Sequence, residues 1–233
     1  MVLKNVIRRN MKMTLAPLLY RNYPIGLQPP RLYLWMDALY KTRHLSSPIV
    51  EVGVAAGGTS AFSFKFLRQI DSRRDYICVD TFNGFTKEQF AEDVRLGNEW
   101  KKFSMFSANS QNLVRKVLKM HGAGDVKLIQ GDISKIDKAK FPKSISACLL
   151  DVDLAVPIYD GLSLVWPLLE DGGVIVVDDC YESRGGGGWQ ALTGYRKFCQ
   201  EMELDQHFFY GAAYLVKGSA AAEGFPSSKE VFL

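Results

Sequence analysis

Four aspartates stand in two short clusters, each at the end of an apolar run typical of a buried β-strand. Asp151 and Asp153 end the run at 146–151, and Asp178 and Asp179 end the run at 174–178. Adjacent strands of a parallel sheet would bring these carboxylates close together, where they repel one another unless a counter-charge neutralises them. The pattern favours a hard divalent cation with oxygen ligands, Mg²⁺ or Ca²⁺. The alternative is that the aspartates cap neighbouring helices and face water.

A glycine-rich segment, E-V-G-V-A-A-G-G-T-S at Glu51–Ser60, leaves one apolar run and enters a helix-like one. Gly53 and Gly57 would let the backbone turn tightly and approach a ligand closely. We expect Thr59 or Ser60 to cap the following helix. The G-x-x-x-G-G spacing differs from the G-x-G-x-x-G of dinucleotide-binding folds, which argues against an NAD-dependent oxidoreductase. Alone, the segment is also compatible with an ordinary turn between a strand and a helix.

Two further carboxylates follow apolar runs at positions that suit a nucleoside. Asp80 ends the run at 75–80, where a carboxylate can accept both hydroxyls of a ribose. Asp132 follows the run at 126–130, and it could accept a hydrogen bond from an adenine amino group. An aspartate that begins a turn is also common in this position. Together with the glycine-rich segment, Asp80 favours adenosine binding.

The elements that must position these residues alternate between strand-like and helix-like patterns. Strands are predicted at 48–53, 75–80, 126–130, 146–151, 174–178, 207–210 and 212–216. Helices are predicted at 31–43, 59–70, 87–96, 111–120, 158–169 and 189–203, with a turn at 171–173. This order predicts an α/β fold with a mostly parallel seven-stranded sheet, an antiparallel closing strand, and helices on both faces.

The chain divides into a helical N-terminal segment at 1–47, which packs on the domain or covers its site, and a ligand-binding domain at 48–233. A glycine run at Gly185–Gly188 directly follows the Asp178-Asp179 pair. Such a run is too flexible for a regular element. It is interpreted either as a lid over the site or as a loose loop.

Composition excludes several classes of protein. Apolar residues make up 47% and charged residues 23% of the chain, as in an ordinary globular protein. The net charge of +4 is modest and its basic residues are scattered, so we expect no nucleic-acid partner. No apolar run is long enough for a membrane span, and no signal peptide is evident. The four cysteines lack metal-binding or redox spacing, and we expect them to be reduced in a cytoplasmic protein.

The ordered set of motifs resembles the class I S-adenosylmethionine-dependent methyltransferases. Among them it is similar to the metal-dependent sugar O-methyltransferases of the macrocin, mycinamicin and novobiocin family. The family pattern is an E-x-G-V-x-x-G-G-[ST]-S loop, a D-[ST]-F-x-G-F-like segment, a D-x-D-L segment and a D-D pair. Here the corresponding stretches are Glu51–Ser60, Asp80–Phe85, Asp151–Leu154 and Asp178-Asp179, within residues 48–200.

The resemblance implies a Rossmann-like fold, S-adenosylmethionine as cofactor, Mg²⁺, and a role for each matching residue. Mg²⁺ would be bound by Asp151, Asp178 and Asp179, and Asp153 would be the general base. The cofactor would be held by Glu51, Gly53, Gly57, Thr59, Ser60, Asp80, Thr81, Phe82, Asp132 and Ile133.

The sequence also departs from the family, chiefly where the acceptor would bind. Asp153-Leu154 is followed by Ala155-Val156-Pro157 instead of a Tyr-Glu-Ser continuation, and Cys180 stands where an aromatic residue is common. Some members use a downstream histidine, but His207 has a strand-like context and is interpreted as structural. Trp189 and Tyr181 could form walls of an acceptor pocket or belong to the core.

These observations predict an enzyme of natural-product biosynthesis that methylates a hydroxyl of a sugar or glycoside with the help of Mg²⁺. We expect a small-molecule acceptor, no membrane partner, and either a monomer or a homo-oligomer. A metal-independent small-molecule methyltransferase and a non-catalytic nucleotide-binding protein are the alternatives, although the latter gives no reason for four clustered carboxylates.

Overall fold

The computed structural model describes residues 2–183, 187–218 and 224–228, and it contains one seven-stranded sheet. The strands are β1 (Ile49–Val52), β2 (Tyr76–Asp80), β3 (Lys127–Gln130), β4 (Ile145–Leu150), β5 (Leu169–Val177), β6 (His207–Phe209) and β7 (Ala212–Val216). Their order across the sheet is β3-β2-β1-β4-β5-β7-β6. Only β7 runs antiparallel to its neighbours, as the sequence predicted. The chain changes direction across the sheet between β1 and β4, where such sheets bind ligands.

Seven α-helices accompany the sheet in the described residues. They are α1 (Val2–Leu19), α2 (Pro29–Lys41), α3 (Gly58–Gln69), α4 (Lys87–Arg95), α5 (Gln111–Met120), α6 (Ala155–Val165) and α7 (Ala191–Glu201). The side chains of Thr86 and Ser110 cap α4 and α5 by accepting the backbone N–H of Gln89 and Leu113. Caps of this kind fix where α4 and α5 begin.

Successive side chains of each strand point to opposite faces of the sheet, and they form two cores, one on each face. Ile49 of β1 points to a core shared with α2, α3 and α5, which Trp35 and Phe64 help to fill. Val50 and Val52 point to the opposite core, which α6 and α7 close with side chains such as Leu162. Because both faces are buried, the strand ends are the part of the sheet left open to a ligand.

Three local predictions were wrong. The strand β5 begins at Leu169, so the helix predicted at 158–169 ends earlier, and the predicted turn at 171–173 lies inside an irregularity of β5. The N-cap of α3 is Gly57, which has a φ of 85°. Thr59 and Ser60 therefore lie inside the helix, and neither caps it. The helix predicted at 31–43 begins two residues earlier as α2, because Pro29 and Pro30 occupy its first turn, where a missing N–H costs nothing.

The N-terminal segment packs on the domain through two different helices. Ala16 of α1 packs against Leu113 and Val117 of α5. In contrast, α2 contributes buried Leu34 and Trp35 to the main core. Among the described residues, no helix combines the length and the hydropathy that crossing a membrane requires.

Candidate active site

A cavity of about 360 Å³ opens at the carboxyl ends of β1, β2, β3, β4 and β5. That volume lies in the range of small-molecule sites, ~300–1,000 Å³. Its β2–β3 wall includes Gly53, Asp80, Thr81, Asp132 and Ile133. Its β4–β5 wall includes Asp151, Asp153, Asp178 and Asp179. Nine of the residues that the sequence singled out thus face one cavity.

On the β2–β3 wall, the Asp80 carboxylate is held by backbone donors from both sides. The N–H of Val54 donates to Oδ2 at 2.7 Å, and the N–H of Phe82 donates to Oδ1 at 2.6 Å. Burial raises the pKa of Asp80, and the two backbone hydrogen bonds oppose that rise. Each carboxylate oxygen has a second acceptor position. Asp80 is therefore fixed in place while it can still accept hydrogen bonds from a ligand.

Asp132 on the same wall is oriented by a small polar network. It accepts the N–H of Ser134 at 3.0 Å, and the Gln89 amide donates to both of its oxygens at 3.1 Å. Thr86 donates in turn to the Gln89 carbonyl at 2.8 Å. Gln89 and Thr86 line the cavity and were not predicted from the sequence, since an amide and a hydroxyl on a helical segment carry no distinctive pattern.

The glycines of the loop between β1 and α3 are required by the protein's own packing. A Cβ at Gly53 would lie 1.8 Å from the carbonyl oxygen of Asp151, and one at Gly58 would lie 2.1 Å from the carbonyl carbon of Pro24. A Cβ at Gly57 would meet Val114 at 3.1 Å. Of these glycines only Gly53 lines the cavity. A larger residue at Gly57 would therefore disturb the packing of α3 on α5.

Glu51 lies beneath this loop, inside the core, where it is 1% exposed. The Tyr76 hydroxyl donates to its Oε2 at 2.6 Å. Burial raises the pKa of Glu51 to about 7, and the Tyr76 hydrogen bond opposes that rise. This carboxyl is held by the protein and does not line the cavity.

Five predicted cofactor residues lie away from the wall of the main cavity: Glu51, Gly57, Thr59, Ser60 and Phe82. Ser60 is fully buried within α3, and Phe82 belongs to the core beneath the sheet end. Their proposed contacts with a cofactor stay predictions. His207 stacks on Tyr214 in β6 and β7, consistent with a structural role. The glycine run falls partly at residues 184–186, outside the described residues, and its interpretation as a lid stays open.

The β4–β5 wall concentrates negative charge. Oxygens of Asp151, Asp153 and Asp179 all lie within 4.8 Å of one another. Asp153 and Asp179 have positive φ angles of 62° and 55°. Strained backbone of this kind tends to occur at functional sites, although aspartate tolerates it better than most residues. The turns after β4 and β5 thereby point the carboxylates at one another.

Burial and mutual repulsion make these carboxyls hard to ionise. Burial raises the pKa of Asp151 well above its ordinary value, and the charges of Asp178 and Asp179 raise it further. Burial and the charge of Asp179 do the same to the pKa of Asp153. Burial raises the pKa of Asp178 to about 7, Asp179 adds to the rise, and the Arg31 guanidinium opposes it.

Three clustered carboxylates form a donor set that suits Mg²⁺ or Ca²⁺, because hard cations prefer charged oxygen ligands. The predicted ligand set was Asp151, Asp178 and Asp179. The structure instead groups Asp151 and Asp179 with Asp153. The individual ligand roles stay predictions, as does the role of Asp153 as general base.

Arg31 is the charged residue of the cavity wall that sequence reasoning missed. It lies in the first turn of α2, is 3% exposed, and lines the cavity. Its Nη1 donates to Asp178 Oδ1 at 3.2 Å and to Asp179 Oδ1 at 2.7 Å. A single arginine in an amphipathic helix has no local signal that would reveal a partner 147 residues away.

Aromatic side chains form the mouth of the cavity. Trp189, Tyr181 and Phe85, the last residue of the Asp80–Phe85 motif, line it together with Phe106, which the sequence had not singled out. The Phe85 ring lies 5.6 Å from the Trp189 ring and 5.7 Å from the Phe106 ring. Lys102 sits over the Trp189 ring, with 4.4 Å between Nζ and the ring centroid. This surface would suit a flat or ring-shaped acceptor.

This sheet order, with the site at its central switch point, is the Rossmann-like fold of the class I methyltransferases. The profile of the family described as "Methyltransferase domain" matches residues 50–180, and the chain belongs to that family. A search of curated protein sequences finds no match. Family membership supports S-adenosylmethionine as the cofactor.

Solved structures with the same fold include several O-methyltransferases. The O-methyltransferase NovP is 19% identical, with a TM-score of 0.70 over 82% of this chain and 80% of that one. CalS11, a calicheamicin methyltransferase also described as a TDP-rhamnose 3'-O-methyltransferase, is 22% identical, with a TM-score of 0.63 over 93% and 92%. An O-methyltransferase from Bacillus cereus, in complex with SAH, is 14% identical, with a TM-score of 0.52 over 92% and 91%. At these identities the likeness establishes the fold.

Proposed function

We propose that this protein is an S-adenosylmethionine-dependent O-methyltransferase that modifies a hydroxyl of a sugar or glycosylated natural product, assisted by Mg²⁺. One observation carries the proposal: a single cavity joins a β2–β3 wall with fixed acceptors to a β4–β5 wall of crowded carboxylates. The first wall suits a nucleoside, and the second suits the activation of a hydroxyl.

The β2–β3 wall would bind the cofactor. Asp80 is held rigidly by two backbone N–H groups, so its remaining lone pairs can accept ribose hydroxyls without reorganisation. Asp132, oriented by Gln89, would accept the adenine amino group, with Ile133 beside it. The sulfonium would then lie towards Gly53, between the two walls.

The β4–β5 wall would activate the acceptor. When bound, S-adenosylmethionine supplies a sulfonium-borne methyl group, and a divalent cation lowers the pKa of the acceptor hydroxyl. Asp153 takes the proton that the oxygen loses as its bond to the methyl carbon forms and the carbon–sulfur bond breaks. Burial and the charge of Asp179 raise the pKa of this carboxyl, so Asp153 would need the nearby positive charge of the cation to start the reaction ionised, and it would then hold the transferred proton firmly.

The class of acceptor is inferred from the cavity mouth and from the relatives. Trp189 and Phe85 offer faces on which a sugar ring can stack. The resemblance to the macrocin, mycinamicin and novobiocin family, and the printed descriptions of NovP and CalS11, agree with this choice. The acceptor would be a free small molecule, with residues 1–47 acting as a cap on the cofactor-binding domain.

The proposal also places the protein in the cytoplasm, since its four cysteines are free and buried. Neither nucleic acid nor membrane is part of the proposed chemistry, and a homo-oligomer is compatible with it.

The test is calorimetric titration with S-adenosylmethionine, followed by a methyl-transfer assay against a panel of nucleotide sugars and glycosides. Each acceptor is assayed with Mg²⁺ and with EDTA. We expect cofactor binding without acceptor, and turnover of at least one sugar hydroxyl only with Mg²⁺. Absence of cofactor binding would refute the methyltransferase assignment, whereas turnover confined to non-sugar acceptors would refute only the substrate class.

A metal-independent small-molecule methyltransferase is a second candidate. The ion pairs from Arg31 to Asp178 and Asp179 favour it, because they supply part of the counter-charge that the cluster needs. Turnover that survives EDTA would select this candidate.

A further inference from the structure

We propose that Arg31 is a positioning residue that withholds Asp178 from a bound cation and leaves Asp151 and Asp179 as its carboxylate ligands. The proposal rests on the Mg²⁺ part of the proposed function, and it departs from the ligand set that the family resemblance implies.

The geometry separates Asp178 from the other three carboxylates. Asp151, Asp153 and Asp179 have mutually close oxygens, whereas Asp178 is not a member of that group. Asp178 is 5% exposed and forms an ion pair with Arg31 at 3.2 Å. Arg31 therefore provides Asp178 with a partner that a cation would have to displace.

The Asp179 carboxylate can bind Arg31 and a cation at the same time. Arg31 donates to its Oδ1 at 2.7 Å, which leaves a second carboxylate oxygen for a cation. With Asp151, this gives two protein carboxylates, the number that Mg²⁺ commonly takes while it keeps waters for exchange. Asp153, whose oxygen lies within 4.8 Å of both, keeps the role of proton acceptor that the proposed function gives it.

Arg31 has further contacts besides its two ion pairs. Its Nε donates to the carbonyl of Tyr210 at 3.4 Å, and its guanidinium carbon lies 5.2 Å from the centroid of the Tyr181 ring. A Cβ on Gly211 would lie 2.8 Å from Nη2. Glycine at 211 thus leaves room for the guanidinium, and a buried arginine this confined does not move aside easily.

The first experiment measures Mn²⁺ affinity by electron paramagnetic resonance in the full chain and its variants. Asp178→Asn should weaken binding by only about tenfold, the lower end of what losing an outer partner costs. Asp151→Asn and Asp179→Asn should each weaken it by at least about 100-fold, because each removes a ligand. Arg31→Met should strengthen it by about tenfold or more, because a neighbouring positive charge is gone. Arg43→Met, an exposed position near the end of α2, should change nothing.

Equal losses for Asp178→Asn and Asp179→Asn would overturn the proposal, as would unchanged affinity in Arg31→Met. If the unsubstituted protein binds no Mn²⁺, the magnesium part of the proposed function fails, and the ligand assignment fails with it. Cofactor binding and metal-independent turnover would still be measurable in that case. Failure of the metal-ligand assignment can therefore be distinguished from failure of the methyltransferase assignment.

The second experiment tests the positioning role without any metal. In EDTA at pH 8, Arg31→Met should lower the melting temperature by about 10 °C, because a buried carboxylate pair loses its counter-charge. The double variant with Asp178→Asn should recover a substantial part of that loss, whereas a merely packed arginine would give additive losses. Additive losses would overturn the positioning role. If Arg31→Met does not fold, Arg31→Gln, which also removes the charge but keeps a polar side chain, replaces it in the same cycle.

Discussion

Both walls of the cavity carry carboxylates that are at least partly buried, but the two walls compensate for that burial in opposite ways. On the β2–β3 wall, Asp80 accepts two backbone N–H groups, and Asp132 accepts one backbone N–H and the Gln89 amide, all at 2.6–3.1 Å. On the β4–β5 wall, Asp151 and Asp153 face other carboxylates, and Arg31 forms ion pairs with Asp178 and Asp179. The carboxylates of the first wall have hydrogen-bond donors before a ligand binds. The carboxylates of the second wall lack enough positive charge to balance them.

The difference suits two kinds of recognition. A preorganised acceptor binds a polar, uncharged group without paying for rearrangement, as a ribose requires. A wall with excess negative charge attracts a cation or a proton, and that attraction can be used during a reaction. We therefore expect changes on the β2–β3 wall to alter affinity, and changes on the β4–β5 wall to alter rate.

The largest expected effect on stability is at Gly53, the residue of the β2–β3 wall that adjoins the β4–β5 wall. Gly53→Ala would place a Cβ 1.8 Å from the Asp151 carbonyl oxygen, at a residue whose φ is +85°. We expect a loss of at least about 3 kcal/mol in the free energy of unfolding, measured by urea denaturation. Gly122→Ala is the matched control: its φ is +71° but nothing lies within 4 Å of the new Cβ. It should lose only about 1–2 kcal/mol, and equal losses would show that contact between the walls is unimportant.

The next effect tests the β4–β5 wall alone. Asp153→Asn keeps the shape of the side chain but cannot accept a proton, so kcat should fall by about 10²–10⁴-fold. Its affinity for S-adenosylmethionine, measured by calorimetry, should stay within a few-fold of the original. A variant that retains its rate would show that the proton goes elsewhere.

A third prediction concerns the buried carboxyl beneath the glycine loop. The pKa of Glu51 is about 7 in the folded protein and 4.5 ordinarily. Between these values the unfolded chain releases a proton that the folded protein keeps, so stability falls as pH rises through this window. The contribution of Glu51 to this fall should be about 3 kcal/mol, and Glu51→Gln should remove that contribution while accepting the same Tyr76 hydrogen bond. Parallel stability profiles for the two proteins between pH 4.5 and 7.5 would contradict this prediction.

The smallest effect isolates the β2–β3 wall. Asp80→Asn should weaken S-adenosylmethionine binding by roughly 1–3 kcal/mol, because an amide is a poorer acceptor for ribose hydroxyls than a carboxylate. Asp137→Asn is the control, since Asp137 also accepts a backbone N–H at 3.0 Å but lies outside the cavity wall. Isothermal titration calorimetry of both variants with S-adenosylmethionine measures this change in affinity. If Asp80→Asn lowers kcat without affecting binding, the assignment of affinity to the β2–β3 wall and of rate to the β4–β5 wall is wrong.

Sequence patterns predicted the sheet and its carboxylates well because both follow from local periodicity. An apolar run that ends in an aspartate predicts a buried strand with a polar end, as β2, β4 and β5 have. The same reasoning failed where distant contacts decide the outcome. It missed Arg31, and it did not reveal that the packing of Asp151 and Val114 also requires glycine at positions 53 and 57. It also misplaced the cap of α3, since Gly57 in a left-handed conformation begins that helix without a side-chain hydrogen bond.

The position of β7 between β5 and β6 has a consequence for synthesis of the chain on the ribosome. Because β7 is made after β6, the apolar strand β5 has no neighbour on one side until Ala212–Val216 leaves the exit tunnel. An unpaired edge of this kind readily joins the strands of other chains. The nascent protein is therefore most prone to aggregate late in translation, and we expect chains that terminate near residue 205 to depend strongly on chaperones.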